Sequence, residues 1–457
     1  MNKVLRLIFY VALFVPLATS QKLSTHDKAS PLDAYKLIAV KVTGTEHYTD
    51  KEILAASGLQ IGQNAADGDF KEVVQRLGDS GLFSNVSYSY SFSDAGVKLE
   101  LQLADTDKSK LVPAHFENFV WFTDAELLNA LQSRVPLFKQ LVPLEGRLPD
   151  HVSEALQSLL SDKKFPGRVD FLREGDESGG PLKAIAYRVE EVDIRIRNVE
   201  FPGASPDQTA LLTTAAIRLS GAEYTRATLA AAAKFDFLPV YLQRGYLKAT
   251  FGPSDAHVVP QTAPAPAADA QGPAELQVDA IVPVTPGKIY STSSVEWKGN
   301  SAIATGQLAP LLHLPIGQPA DAVRLLHDIE NISKLYRSRG YMMAQIKPEA
   351  QFNDGKNDDG KTENDKSTVR YDLSVVEGDL YRMGEFEITG LDTQARARMV
   401  AAWTLRTGDP YNADYPKKFL EDTGQLLPRG VQWATTVHES PDTKDKTVDV
   451  EIHFKQQ

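Results

Sequence analysis

Apolar and polar residues alternate from Leu37 to Val42, and Thr43-Gly44 closes the stretch. That period of two predicts a half-buried strand ended by a turn. Thr49-Asp50-Lys51-Glu52 follows with capping-box spacing and predicts a helix start. Leu59-Gln60-Ile61-Gly62 is expected to end that helix and turn the chain. From about Asp69 to Asp79 the residues Phe70, Val73, Val74 and Leu77 share one helical face, and Ser80-Gly81 stops the run. Two alternating stretches, Phe83 to Phe92 and Val97 to Leu103, flank Ser93-Asp94-Ala95-Gly96, a hairpin turn. The predicted unit is strand, helix, helix, strand, strand.

The same order returns along the chain. Val40-Lys41-Val42-Thr43-Gly44 has counterparts in Val199 to Gly203, Val295 to Gly299 and Phe386 to Gly390. Ser80-Gly81-Leu82-Phe83 has counterparts in Arg244-Gly245-Tyr246, Arg339-Gly340-Tyr341 and Arg429-Gly430-Val431. Self-similarity at this spacing predicts an array of small modules, which favours a binding surface over a catalytic pocket. The expected boundaries are 36–105, 111–192, 193–287, 288–378 and 379–457. The fourth is the clearest, with a long helix over about Asp321 to Ser338 and hairpin strands over about Ala344 to Phe352 and Val369 to Val376. The fifth ends in an alternating strand, Val448 to Phe454. The second is the most degraded: Phe116 to Trp121 stands where the opening phrase belongs and lacks its Gly, and Phe165-Pro166-Gly167 replaces the later turn. Pro260 to Pro273 and Asn353 to Ser367 read as solvated insertions within hairpins.

The first twenty residues depart from this pattern. Lys3 and Arg6 precede an apolar run from Leu7 to Leu17, and Ala18-Thr19-Ser20 offers the small residues of a cleavage site. This predicts a signal peptide over residues 1–20, since the run is shorter than the roughly 20 residues a spanning helix needs. The chain of 457 residues holds no Cys, which excludes disulfides, thiol nucleophiles and thiolate zinc sites and suits a bacterial periplasm. A net charge of −11 disfavours a nucleic acid as partner.

Candidate chemistry adds little. Gly355 to Thr362 spells the phosphate-loop pattern G-x-x-x-x-G-K-T, but Glu363 to Ser367 has no apolar helical face, and Asp358 and Asp359 would repel phosphate. The nine His residues fall singly, and His313 and His327 are expected on helix faces. Acidic residues are spread over expected helix surfaces and no nucleophile elbow occurs. No catalytic residue, cofactor or metal site is predicted, and the chain does not read as an enzyme. The repeated glycines and their aromatic neighbours read as turn and core residues.

The full set of phrases is V-x-V-x-G, L-x-x-G-x-P as in Leu314 to Pro319, R-G-Y, and V-x-E-G as in Val375 to Gly378. In this order they resemble the polypeptide-transport-associated (POTRA) domain, and the tandem resembles the periplasmic part of the BamA and TamA outer-membrane assembly proteins. The resemblance implies an α+β fold of tandem β-α-α-β-β modules, each a three-stranded mixed sheet with two helices on one face, stacked in an elongated array. It also implies a protein of the periplasm or the periplasmic face of the outer membrane. Its partners would be unfolded outer-membrane proteins, components of an assembly complex, or a separate β-barrel protein. The sequence stops at Phe454-Lys455-Gln456-Gln457 without alternating membrane strands, so insertase activity is not carried over.

A sheet of this kind leaves an edge strand whose backbone groups an extended client can pair. The candidate protein-binding residues are Val86, Tyr88 and Tyr90; Leu247, Ala249 and Phe251; and Ala344 and Ile346. The alternative function is a structural envelope adaptor that binds no client.

Overall fold

The computed structural model describes residues 35–175, 180–260, 274–354, 367–428 and 430–457. The signal peptide, the phosphate-loop pattern and Arg429 lie outside the described residues. The described residues divide into two compact units, one within 1–114, 128–155 and 173–185, the other within 115–127, 156–172 and 186–457. The division runs through the second module.

The first module contains β1 (Tyr35–Thr43), α1 (Asp50–Ser57), β2 (Asn64–Ala65), α2 (Asp67–Asp79), β3 (Phe83–Ser93) and β4 (Gly96–Asp105). The second has β5 (Leu111–Phe116), α3 (Asp124–Arg134), β6 (Leu141–Pro143), α4 (Leu148–Lys163), β7 (Arg168–Gly175) and β8 (Leu182–Glu190). The third runs through β9 (Val192–Glu200), α5 (Pro206–Ala215), α6 (Arg226–Ala232), α7 (Leu238–Leu242), β10 (Thr250–Phe251), β11 (Asp255–Val258), β12 (Ala274–Ile281) and β13 (Val284–Thr285). A π-turn over Ala233–Phe237 joins α6 to α7. The fourth has β14 (Ser291–Lys298), α8 (Thr305–Leu308), α9 (Ala322–Ser338), β15 (Gln345–Asn353) and β16 (Thr368–Val376). The fifth has β17 (Arg382–Thr389), α10 (Thr393–Ala402), α11 (Tyr415–Thr423), β18 (Trp433–Asp442) and β19 (Thr447–Gln456).

The main sheets of the first, third, fourth and fifth modules are mixed for the same reason. The hairpin pairs its two strands antiparallel, and the opening strand, separated from it by helices, pairs parallel to the hairpin's second strand. The hairpin's second strand is therefore central, as in the orders β14-β16-β15 and β17-β19-β18. Its alternation places one face on the core: Val97, Leu99, Leu101 and Leu103 on β4 are buried, and so are Val448, Val450, Ile452 and Phe454 on β19. Helix α2 closes the first core with Phe70, Val73 and Leu77, the face its spacing predicts.

Several local expectations hold in detail. Thr49 caps α1, with Glu52 N–H donating to the Thr49 hydroxyl and Thr49 N–H donating to Glu52 Oε2 at 2.8 Å. The turn of the first hairpin is Asp94-Ala95, between β3 and β4.

Other expectations are corrected. Helix α1 ends at Ser57 with Gly58 in the left-handed conformation, so Gly58 rather than Leu59 to Gly62 stops the helix, while the expected turn follows at Gln60 to Gln63, where Gln63 N–H donates to Gln60 O at 3.2 Å. The opening strand of the second module is Leu111–Phe116, not Phe116 to Trp121, and Phe119, Val120 and Phe122 are buried in the turn that follows. His313 lies in a loop before α9 rather than on a helix.

The V-x-E-G phrase proves to be a hub within the fourth module. Glu377 accepts from the Ser301 hydroxyl at 2.6 Å, from Ala302 N–H at 2.8 Å and from the buried Tyr336 hydroxyl at 3.0 Å. It thereby ties the exit of β16 to the loop after β14 and to the end of α9. Glu377→Ala leaves the Tyr336 hydroxyl without its acceptor and is expected to destabilise the module by about 2 kcal/mol, measured by urea unfolding. Glu377→Gln, which retains an acceptor, should cost less than half of that.

Candidate functional site: the open sheet edges

A three-stranded sheet has two edges, and here the modules treat them differently. The outer edge of the opening strand is covered from within the module by the segment that carries the L-x-x-G phrase. In the first module Gly62 N–H donates to Leu37 O and Leu37 N–H to Gln63 O, both at 2.7 Å. In the third, Gly221 N–H donates to Ile196 O at 2.8 Å and Ile196 N–H to Ala222 O at 2.9 Å. Gly317 with Thr292 and Gly408 with Met383 repeat the bond in the fourth and fifth modules, each at 2.8 Å. The segment after the glycine adds antiparallel bridges, Ser291 to Pro319 and Arg382 to Pro410. The L-x-x-G-x-P phrase is therefore an edge cover, and the pairing continues past its Pro, with Ala320 N–H donating to Tyr290 O at 2.8 Å and Tyr411 N–H to Tyr381 O at 3.0 Å.

The other edge belongs to the first strand of each hairpin. Among the described residues β3 pairs only with β4, β15 only with β16 and β18 only with β19. In the third module this position is split between β10, paired with β13, and β11, paired with β12. The outward N–H and C=O groups of these strands have no strand across from them, and they form the chain's exposed pairing surface.

The sequence-predicted site residues distribute unevenly over this surface. Val86, Tyr88 and Tyr90 lie on β3, with their side chains on the face shared with α2. Phe70 of α2 stands 6.2 Å from Tyr88 and 5.5 Å from Tyr90 between ring centroids. The Tyr88 hydroxyl donates to Asp67 Oδ1 at 2.7 Å, and that bond pushes the phenol above its ordinary pKa. Ile346 lies on β15, whereas Ala344 precedes the strand, which begins at Gln345.

Leu247 and Ala249 are not on a strand. They lie in the turn after Gly245, and only Phe251 of that trio is strand, in the two-residue β10. The reason is a joint. Leu247 packs against the fourth module's core around Tyr290, Leu314 and Leu325, and Tyr290 N–H donates to Gly245 O at 2.8 Å. The same construction recurs one module later, where Met342 packs on the core around Tyr381, and Tyr381 N–H donates to Gly340 O at 2.8 Å. The R-G-Y phrase is thus a connector between consecutive modules. Sequence reasoning missed it, although Tyr290 and Tyr381 each stand nine residues before the glycine that closes their strand.

The acidic residues include one that is not on a helix surface. The Asp328 side chain is fully buried on α9. It accepts from the backbone N–H of His313 at 2.6 Å and contacts Arg324 Nε at 3.0 Å and His313 Nδ1 at 3.1 Å. Among the described residues no group of three or more His, Cys, Asp or Glu is placed to hold a metal ion. No described helix is long and apolar enough to cross a membrane.

Among solved structures, the third to fifth POTRA domains of BamA from Haemophilus influenzae match at 17% identity, covering 58% of this chain and 96% of that one, with a TM-score of 0.39. The N-terminal domain of Omp85 from Thermosynechococcus elongatus matches at 18% identity over 57% of this chain and 97% of that one, with a TM-score of 0.22. CdiB from Escherichia coli matches at 15% identity over 55% of this chain and 35% of that one, with a TM-score of 0.20. The family model named POTRA, described as a surface antigen variable number repeat, matches residues 290–378. Those residues span the fourth module from Tyr290 to Gly378, so this module matches the POTRA family, and the chain's fold is a tandem of small β-α-α-β-β modules.

Proposed function

We propose that this chain is a periplasmic POTRA-repeat binding protein that acts in outer-membrane protein assembly or transport. It binds unfolded client strands, or strands offered by assembly partners, through addition to the open hairpin edges. One observation carries the reading: each opening-strand edge is covered from within its own module, while among the described residues no strand pairs with the outer edges of β3, β15 and β18. Strand addition reads the main chain first, which suits clients that share alternating β patterns without sharing a sequence.

The test is photo-crosslinking in the periplasm from positions on β3, β15 and β18. Outer-membrane proteins or assembly factors are expected among the products; their absence at all three edges would overturn the reading. Proline introduced together at Ser89, Ile346 and Thr436 removes one N–H from each edge strand and should weaken binding of an unfolded outer-membrane protein by about tenfold or more. Partner binding that survives all three prolines would instead support the adaptor.

A further inference from the structure

The open edges are not equivalent. Exposed edge strands ordinarily carry charges, Pro or interruptions that discourage a further strand. Strand β15 has Lys347, Pro348 and Glu349 in succession, and β18 has His438, Glu439, Pro441 and Asp442. In the second module the edge strand β7 carries Arg168, Asp170, Arg173 and Glu174. The third module's edge is cut into β10 and β11, of two and four residues.

Strand β3 lacks the charges and the Pro, and its one irregularity is a register shift at its start, between Phe83 and Asn85. Its eleven residues, Phe83-Ser84-Asn85-Val86-Ser87-Tyr88-Ser89-Tyr90-Ser91-Phe92-Ser93, include no charged residue, no Pro and no Gly. Successive side chains of a strand point to opposite faces, so Val86, Tyr88, Tyr90 and Phe92 share one face and Ser87, Ser89 and Ser91 the other. The aromatic face reaches the surface: Tyr90 is 40% exposed and Phe92 57% exposed. Tyr35 of β1 extends the stripe, with its ring centroid 4.6 Å from that of Phe92 and Phe92 5.3 Å from Tyr90. An unprotected backbone edge beside an aromatic row accepts one kind of occupant. It must be an extended strand, and it must be uncharged over its length. Its side chains must alternate between aromatic or large apolar residues, which continue the row, and small polar residues, which continue the serine face.

We propose that β3 of the first module is the principal client-receiving edge, and that its client is an extended, uncharged segment alternating aromatic and small polar residues. This rests on the strand-addition reading above and narrows it to one edge and one client chemistry. The other hairpin edges carry charges, Pro or interruptions and receive clients less readily.

The test uses the full chain and a fluorescent synthetic peptide alternating tyrosine with serine, beside a control peptide in which lysine replaces serine. Ser89→Lys introduces a charge on the exposed serine face of β3 without touching the core, and Ser89→Thr supplies an uncharged control. Binding of the tyrosine–serine peptide should fall at least about tenfold in Ser89→Lys and stay within about twofold in Ser89→Thr. The lysine peptide should bind at least about tenfold more weakly than its parent. Circular dichroism of Ser89→Lys checks that the fold is retained. Equal binding by wild type and Ser89→Lys would overturn the assignment to β3, and equal binding of the two peptides would overturn the client chemistry; either result leaves strand addition at other edges standing. Failure of the full chain to bind either peptide or an unfolded outer-membrane protein would bring down the broader reading as well. If sedimentation shows a dimer that Ser89→Lys dissolves, the edge is occupied by a second copy of this chain, and the client assignment is overturned.

Discussion

Gly299→Ala is expected to destabilise the fourth module by about 3–5 kcal/mol, as strain in a left-handed backbone adds to overpacking. Gly299 closes β14 with φ +82°, and a Cβ added there would overlap the carbonyl oxygen of Val375 on the central strand β16. That oxygen belongs to sheet backbone and cannot swing aside as the tip of a long side chain could. Gly44, Gly203 and Gly390 stand in the same place in their own modules, against Leu103, Val284 and Phe454. Gly317 provides the comparison, because it also has positive φ, +79°, but nothing lies within 4 Å of an added Cβ. Gly317→Asn, which tolerates that conformation, should cost only about 1 kcal/mol. Guanidinium unfolding of the two variants checks the contrast. Equal losses would mean that backbone strain alone, rather than the close approach to β16, makes the closing glycine necessary.

This contrast marks what the chain reveals before any coordinates are known. Period-two alternation in β4 and β19 and the amphipathic spacing of α2 are local properties, so they are read directly from the residues. The capping box at Thr49 is equally local. The repeated glycines are visible as a pattern, but their purposes are not. One glycine clears a carbonyl of the central strand, another donates its N–H to cover an edge, and a third accepts from the next module. Each role depends on a partner that is distant in sequence. Leu247 illustrates the limit. Tyr246-Leu247-Lys248-Ala249 has the composition of a short strand, and only the core of the following module shows why it is a turn. The choice of open edge was half legible: β3 could be named as an edge candidate, while the cover over β1 had to be seen in hydrogen bonds. The absence of charge and Pro from β3 was present in the sequence throughout. It acquires meaning only when β7, β15 and β18 are known to occupy the same position in their sheets.

Asp328→Ala is expected to cost about 3 kcal/mol near pH 7, because it removes a buried carboxylate from the cationic and N–H groups that it satisfies. Burial of the side chain pushes the Asp328 pKa up, but donation from His313 N–H and the His313 ring, together with the charge of Arg324, outweighs it, and the net direction is down. His327, whose Nδ1 lies 3.7 Å from Asp328 Oδ1, adds a further positive charge when protonated. A carboxyl group whose folded pKa lies below its unfolded value binds its proton more readily when unfolded. Its contribution is therefore complete above the ordinary carboxylate pKa of about 4 and is lost as pH falls through the lower, folded value. The difference in stability between wild type and Asp328→Ala should accordingly be present in full at pH 7 and shrink below about pH 4. Urea unfolding at pH 7 and pH 3 measures it. A difference that stays constant between the two would assign the loss to packing on α9, since a cavity does not titrate, and would remove the carboxylate's ion pairs from the account of how the His313 loop is held to this helix.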